Sequence, residues 1–126
     1  MTRGLMNTNH HTLALTYLEK YFASDFEGLA KLFVEDLIFN GPFVNTTSAH
    51  EYINSLQTSS LEEMTYKIIK QYEDQDSVCI VYEMVKNNIH FPVVQLFEFK
   101  DSKIAKITTV FDGLISELIG QHSLST

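Results

Sequence analysis

Tryptophan is absent, cysteine occurs once and proline twice in the 126 residues. A lone Cys79 rules out an intrachain disulfide, and its setting in Val78-Cys79-Ile80-Val81 reads as a small inert core position. Cations are scarce: nine Lys and Arg stand against sixteen Asp and Glu, for a net charge of −7. A phosphate-binding surface needs clustered positive charge, so no nucleic-acid partner is expected. No apolar run reaches the roughly 18 residues of a membrane span. The start Met1-Thr2-Arg3-Gly4-Leu5-Met6 has no apolar core of a secretory signal, and the expected location is cytoplasmic. No HxH, HExxH or CxxC spacing occurs, so no metal site is expected. Gly-rich phosphate loops, nucleophile elbows and dinucleotide fingerprints are missing too, so no cofactor is expected.

What is present suits one domain. Hydrophobic residues make up 44% and aromatics 12%, with nine Phe and six Tyr. A chain of this length buries roughly two-thirds of its unfolded surface, enough for a core without cross-links. Residues 1–8 read as a flexible N-terminus, 9–113 as the domain and 114–126 as a C-terminal tail.

Helical spacing comes first. From about Asn9 to Phe22, Leu13, Tyr17 and Tyr21 fall four apart, and Leu15, Leu18 and Phe22 fill the adjoining stripe. Ser24-Asp25-Phe26-Glu27 has the capping-box pattern and opens a second short helix carrying Phe26, Leu29, Ala30 and Phe33. Leu37 to Asn40 reads as a short strand ended by Gly41-Pro42, with Glu35 and Asp36 before it. Ser48-Ala49-His50-Glu51 repeats the capping pattern and starts a third helix with Tyr52, Ile53 and Leu56 inward; Gln57 to Ser60 is a polar loop.

Period-two alternation then takes over. Strands begin near Met64, at Val78, at His90 and at Ile104, separated by Asp74-Gln75-Asp76, Asn87-Asn88 and Asp101-Ser102. Asn tolerates positive φ, so Asn87-Asn88 suits a two-residue hairpin. Pro92 lacks a donor and marks an edge, a bulge or a strand start. After Gly113 comes an amphipathic stretch, Leu114-Ile115-Ser116-Glu117-Leu118-Ile119. Helices followed by a meander make an α+β plan.

Several phrases in this order resemble the nuclear-transport-factor-2-like superfamily, in its SnoaL-like and ketosteroid-isomerase-like branch. They are Ala23-Ser24-Asp25-Phe26-Glu27-Gly28-Leu29 (for an A-G-D-hydrophobic-D/E-G/A junction), Gly41-Pro42-Phe43, the hairpin Gln95-Leu96-Phe97-Glu98-Phe99-Lys100-Asp101-Ser102-Lys103-Ile104, and the ending Val110-Phe111-Asp112. The resemblance implies a cystatin-like cone. Three N-terminal helices pack in a strongly curved, mostly antiparallel sheet, in the order α-α-β-α-β-β-β-β, around an apolar pocket. It also implies a homodimer through the outer sheet face.

Set against the isomerases, which need a carboxylate base and an oxyanion hole of Tyr and protonated Asp, the chain departs. The resemblance puts the tyrosine at Tyr17, but the base at Gly41, which has no side chain, and the protonated acid at Gln95, which can donate but is no acid. Steroid isomerisation is therefore rejected. Tyr17, Gln95 and Asp112 remain catalytic candidates, Asp112 pointing outward by strand parity and Asp36 standing at the rim. A pocket for a small apolar, aromatic or carbonyl-bearing molecule would be lined by Tyr17, Phe39, Phe43, Tyr82, Gln95, Phe97 and Phe111. Two functions compete: a binder with weak acid–base chemistry of cyclase, isomerase or hydratase type, and a non-catalytic binding or dimeric interaction module. His10 and His11 point about 100° apart on a helix and make no metal pair; His50 and His90 read as solvated, and His122 falls in the tail.

Overall fold

The computed structural model describes residues 2–58 and 64–112, the stretch 2–9 as backbone only. The polar loop read at Ser59 and Ser60, His122 and the tail from Leu114 lie outside the described residues. Helix α1 runs Thr2–Phe22, α2 Phe26–Ala30 and α3 Ala49–Gln57. The strands are β1 Phe33–Asn40, β2 Asn45–Thr46, β3 Met64–Glu73, β4 Ser77–Lys86, β5 Ile89–Lys100 and β6 Lys103–Val110. They form one curved sheet in the order β2-β1-β6-β5-β4-β3. Only β1 and β6 pair in parallel; the other neighbours are antiparallel. No described helix is long and apolar enough to cross a membrane.

The core lies between α1, α3 and the inner face of the sheet. Ala14, Tyr17 and Leu18 are the fully buried centre of α1's stripe, and Tyr52 and Leu56 that of α3. On the sheet, Val78, Ile80 and Tyr82 of β4 face Phe91, Val93, Gln95 and Phe97 of β5, all buried, with Ile104 and Ile107 of β6 beside them. Burying each such large apolar side chain contributes about 1.5–3 kcal/mol.

The structure departs from expectation in several places. α1 begins at Thr2, not near Asn9, because a helix propagates through polar residues that carry no apolar period. The second capping pattern holds: Ser48 Oγ accepts from Glu51 N at 3.1 Å, while the Glu51 carboxylate accepts from Thr47 N at 2.9 Å. The first does not. Ser24 adopts φ 57° and closes α1, with Ser24 N donating to Tyr21 O and Asp25 N to Lys20 O, the double bond of a Schellman motif. The cap of α2 passes to Asp25, whose Oδ1 accepts from Gly28 N at 2.9 Å. That bond, with the nearby Lys20, holds the Asp25 carboxyl below its ordinary range.

Phe33 opens β1 rather than continuing α2, so Glu35 and Asp36 lie within the strand, both exposed. An irregularity in register between Phe33 and Ile38 hides this strand from a period-two reading. The two-residue β2 is an addition to the expected order. Cys79 is not a core residue: it is half-buried on the outer face, opposite Leu96. Strand parity on β6 puts Ala105 with Ile107 on the inner face, but a register shift between Glu98 and Phe99 leaves Ile104 fully buried and Ala105 half-buried. Asn87 and Asn88 take φ 54° and 65°, as a tight hairpin requires. Pro92 is exposed and sits where β5 runs beyond its pairing with β6, which starts at Val94.

Candidate functional site

Five elements deliver polar atoms to one place inside this core. α1 supplies Tyr17, α3 Tyr52, β4 Tyr82, β5 Gln95 and β6 Thr109. Tyr17 and Tyr52 share a hydroxyl–hydroxyl bond of 2.5 Å. Tyr82 Oη donates to Gln95 Oε1 at 2.9 Å. The Gln95 amide donates to Thr109 Oγ1 at 2.9 Å, and more weakly to Tyr17 Oη at 3.5 Å. Gln95 is the only polar residue among the fully buried described residues besides the tyrosines, at 3% exposure. Its amide is satisfied on both atoms, which removes the roughly 1–3 kcal/mol penalty of a stranded buried group.

Counting protons shows an imbalance. The two amide N–H groups go to Thr109 and Tyr17, and the Tyr82 proton goes to Gln95. Tyr17 and Tyr52 bring two hydroxyl protons to a single shared bond. One phenolic donor of that pair is therefore surplus within the network.

The network is uncharged. Burial, reinforced by the neighbouring Tyr21, pushes the Tyr17 phenol far above its ordinary value, despite opposing hydrogen bonds from Tyr52 and Gln95. Burial does the same for Tyr52 and Tyr82, and lifts Tyr21 to about 12. These phenols stay protonated at neutral pH and act as donors, not as bases. No carboxylate, imidazole or cation shares a hydrogen bond with them among the described residues, and no group of three potential metal ligands occurs there.

Of the residues expected to form the site, Tyr17, Tyr82 and Gln95 are joined in this network. Tyr82 takes part through its hydroxyl as well as its ring. Phe97 is fully buried and meets Tyr17 edge-on at 5.2 Å, and Phe39 stacks on Tyr52 at 4.3 Å. Phe43 and Phe111 are elsewhere, at the end of the cone where β1 and β6 terminate. Phe43 is 62% exposed, 6.3 Å from Phe111, which in turn lies 6.0 Å from Phe91. Asp112 follows at the exposed rim. The expected hollow at Tyr17 is replaced by ring contacts: the side chain is 1% exposed, between Tyr21, Phe33 and Phe97. Gly41 is also more than a missing base. A Cβ there would meet the Phe39 ring at 2.9 Å, so Phe39 occupies the direction a carboxylate would take.

Tyr52 and Thr109 were not singled out from sequence. Tyr52 was read as inward on α3 without a polar role, and Thr109 shares the inner face directly opposite Gln95. Pairing across β5 and β6 is the signal that could have found Thr109. His90 is exposed and pairs with Glu83 at 3.2 Å, and His50 is exposed. His11 bonds Gln71 beside a shallow cleft of about 320 Å³ between α1 and β3, distant from the core network.

Comparison with solved structures places this architecture among known folds. The chain is similar to an NTF2-like protein of unknown function from Cytophaga hutchinsonii, with 21% identity over 83% of this chain and 91% of that one, at TM-score 0.73. It is similar to an LEH-like epoxide hydrolase of M. tuberculosis, with 16% identity over 94% of both chains, at TM-score 0.75. It also resembles an NTF-2 like protein of unknown function from Burkholderia xenovorans, with 13% identity over 87% and 92%, at TM-score 0.73. At these identities the likeness concerns the fold. No curated protein matches the sequence. The family model for the SnoaL-like domain matches residues 14–107, the span that contains α1's buried stripe, all of the sheet but the end of β6, and four of the five network residues, and the chain belongs to the SnoaL-like family.

Proposed function

We propose that the chain binds a small, uncharged, apolar or aromatic molecule bearing a carbonyl, entering from the Phe43–Phe111 end of the cone. The observation that carries this reading is the neutral donor network, with its surplus phenolic proton, at the bottom of an aromatic cone. A carbonyl oxygen is an acceptor without a proton of its own, so it can take that spare donor. A carboxylate would have to be buried with no cation to pair it, at a cost that forbids it. Burial of the network means that the rim rings must shift to admit the ligand.

The test is a titration followed by thermal shift, using aromatic ketones, the matched hydrocarbons and the matched carboxylates. The expected order is ketone first, with about tenfold preference over hydrocarbon, and carboxylate not bound. That preference should vanish in the double variant Tyr17→Phe with Tyr52→Phe, which removes both phenols of the shared bond. Equal affinity for ketone and hydrocarbon in the unaltered protein overturns the reading. Weak acid–base chemistry on the same ligand would require a base from outside the network, and Asp112, which follows Phe111 at the exposed rim, is the candidate at that end of the cone. Turnover lost in Asp112→Asn, with a pH profile, would support that second reading.

We also propose a homodimer through the outer sheet face. Tyr72, Cys79 and Leu96 form one cross-strand row there and Val81, Val94 and Val110 the next, each half-buried or exposed. Sedimentation should give a dimer that Val94→Glu converts to a monomer; a monomeric unaltered protein at about 100 µM would exclude it.

A further inference from the structure

We propose that Phe39 is a plug: its ring holds the place of a planar ligand ring, and that ligand carries a second oxygen for Thr46 besides the carbonyl taken by the Tyr17–Tyr52 pair. The ligand class is then an aromatic ketone bearing a hydroxyl or a second carbonyl. This subsite deepens the carbonyl-binding reading above and rests on it.

Phe39 is placed to move. It is the most exposed residue of the buried apolar core, at 9%, and it stands two residues before Gly41, where β1 turns at the rim. Gly41 N donates to Val44 O at 2.9 Å and closes that turn. Gly41 leaves one edge of the Phe39 ring free of any side chain, since a Cβ there would lie 2.9 Å from Cε2 and 3.3 Å from Cζ. On its other side the ring stacks on Tyr52, with centroids 4.3 Å apart and planes 20° from parallel. In such a stack one aromatic ring can replace another.

A stranded hydroxyl lies beside this ring. Thr46 of β2 is directly opposite Phe39 of β1. Opposed residues of an antiparallel pair share a face, with Cβ atoms about 4.5–5.5 Å apart. The Thr46 side chain therefore flanks the Phe39 stem on the inner face, and α3 packs over both strands. Thr46 Oγ1 is shut off from solvent and has no hydrogen-bond partner among the described residues. A buried hydroxyl in that state is unfavourable and calls for a polar atom from elsewhere. One stacked ring away, the Tyr17–Tyr52 pair has a phenolic proton to spare. Two unspent hydroxyl groups thus flank a ring that can make no hydrogen bond. When Phe39 turns towards the rim, an aromatic ligand restores the stack on Tyr52 and its two oxygens meet both hydroxyls. A hydrocarbon restores the stack alone, which only replaces the packing that Phe39 gives up.

Calorimetric titration with ethylbenzene, acetophenone and the three ring-hydroxylated acetophenones tests the subsite. In the unaltered protein at least one hydroxy isomer should bind about tenfold tighter than acetophenone. Thr46→Val keeps the shape and drops the hydroxyl. It should abolish that gain, keep the preference for acetophenone over ethylbenzene, and melt no lower than the unaltered protein. Phe39→Leu should tighten all the aromatic probes by about tenfold, because no ring has to be displaced. Hydroxy isomers no tighter than acetophenone, or a gain that survives in Thr46→Val, overturn the subsite. So does a lower melting temperature in Thr46→Val, since the hydroxyl would already be satisfied. Unchanged affinities in Phe39→Leu overturn the plug. Equal binding of acetophenone and ethylbenzene instead removes the carbonyl reading, and the subsite with it.

Discussion

Tyr17 holds the centre of the network, and removing its oxygen strands two neighbours. Tyr17→Phe would leave the Tyr52 hydroxyl without its partner and the Gln95 amide with one donor unspent. Both sites are buried, so the loss should be about 1–3 kcal/mol, measured as a lower urea midpoint. Tyr52→Phe should cost less. It removes a donor together with an acceptor, and leaves the number of unplaced phenolic protons at one. If the two variants prove equally stable, the proton count is wrong. Tyr17 and Gln95 were legible because helical spacing and strand parity point each of them inward. Their partner Tyr52 was not, because its hydroxyl reaches Tyr17 only through the way α3 settles on β1, with Tyr52 stacked on Phe39. That docking depends on contacts far apart in sequence.

At the level of elements, two copies of the same local pattern met different fates. Ser48-x-x-Glu51 became a cap because an extended chain precedes it, with Ser48 at φ −149°. Ser24-x-x-Glu27 follows a helix that still has carbonyls to satisfy, so Ser24 was used to end α1 in the left-handed region and Asp25 inherited the cap. A local pattern does not reveal what the preceding element demands. The same strain makes a prediction. A side chain at φ 57° costs about 1 kcal/mol that glycine avoids. Ser24 stands where the resembling junctions carry Gly, and Ser24→Gly should raise the melting temperature by about 3–5 °C. An unchanged or lower value would mean that the serine side chain makes up the loss. β1 shows the opposite failure: its register irregularity breaks the alternation by which the later strands were recognised.

Across the whole molecule, the meander and its turns were readable since each depends on neighbours in sequence; the α+β plan followed from their order, and the cone from the family resemblance. Whether the cone is filled could not be read, since that depends on how rings from α1, α3 and four strands interlock. They interlock around tyrosines, and this makes stability depend on alkali. Tyr17, Tyr21, Tyr52 and Tyr82 all have phenols raised by burial above the ordinary 10.0. The unfolded chain releases those protons near pH 10 while the folded chain keeps them, so the unfolded state binds fewer protons and folding weakens as pH rises. Below pH 10 the contribution is fully present. Above it, each tyrosine removes up to about 1.4 kcal/mol per pH unit until its folded value is reached. With four acting together the loss should be steep, and the fold should collapse within one or two pH units. Phenolate absorbance followed alongside circular dichroism checks this: the buried tyrosines should ionise in step with the loss of structure. Gradual ionisation near pH 10 with the far-ultraviolet signal intact would mean that these phenols are reached by water in the folded chain, and that the cone is open where the structure fills it.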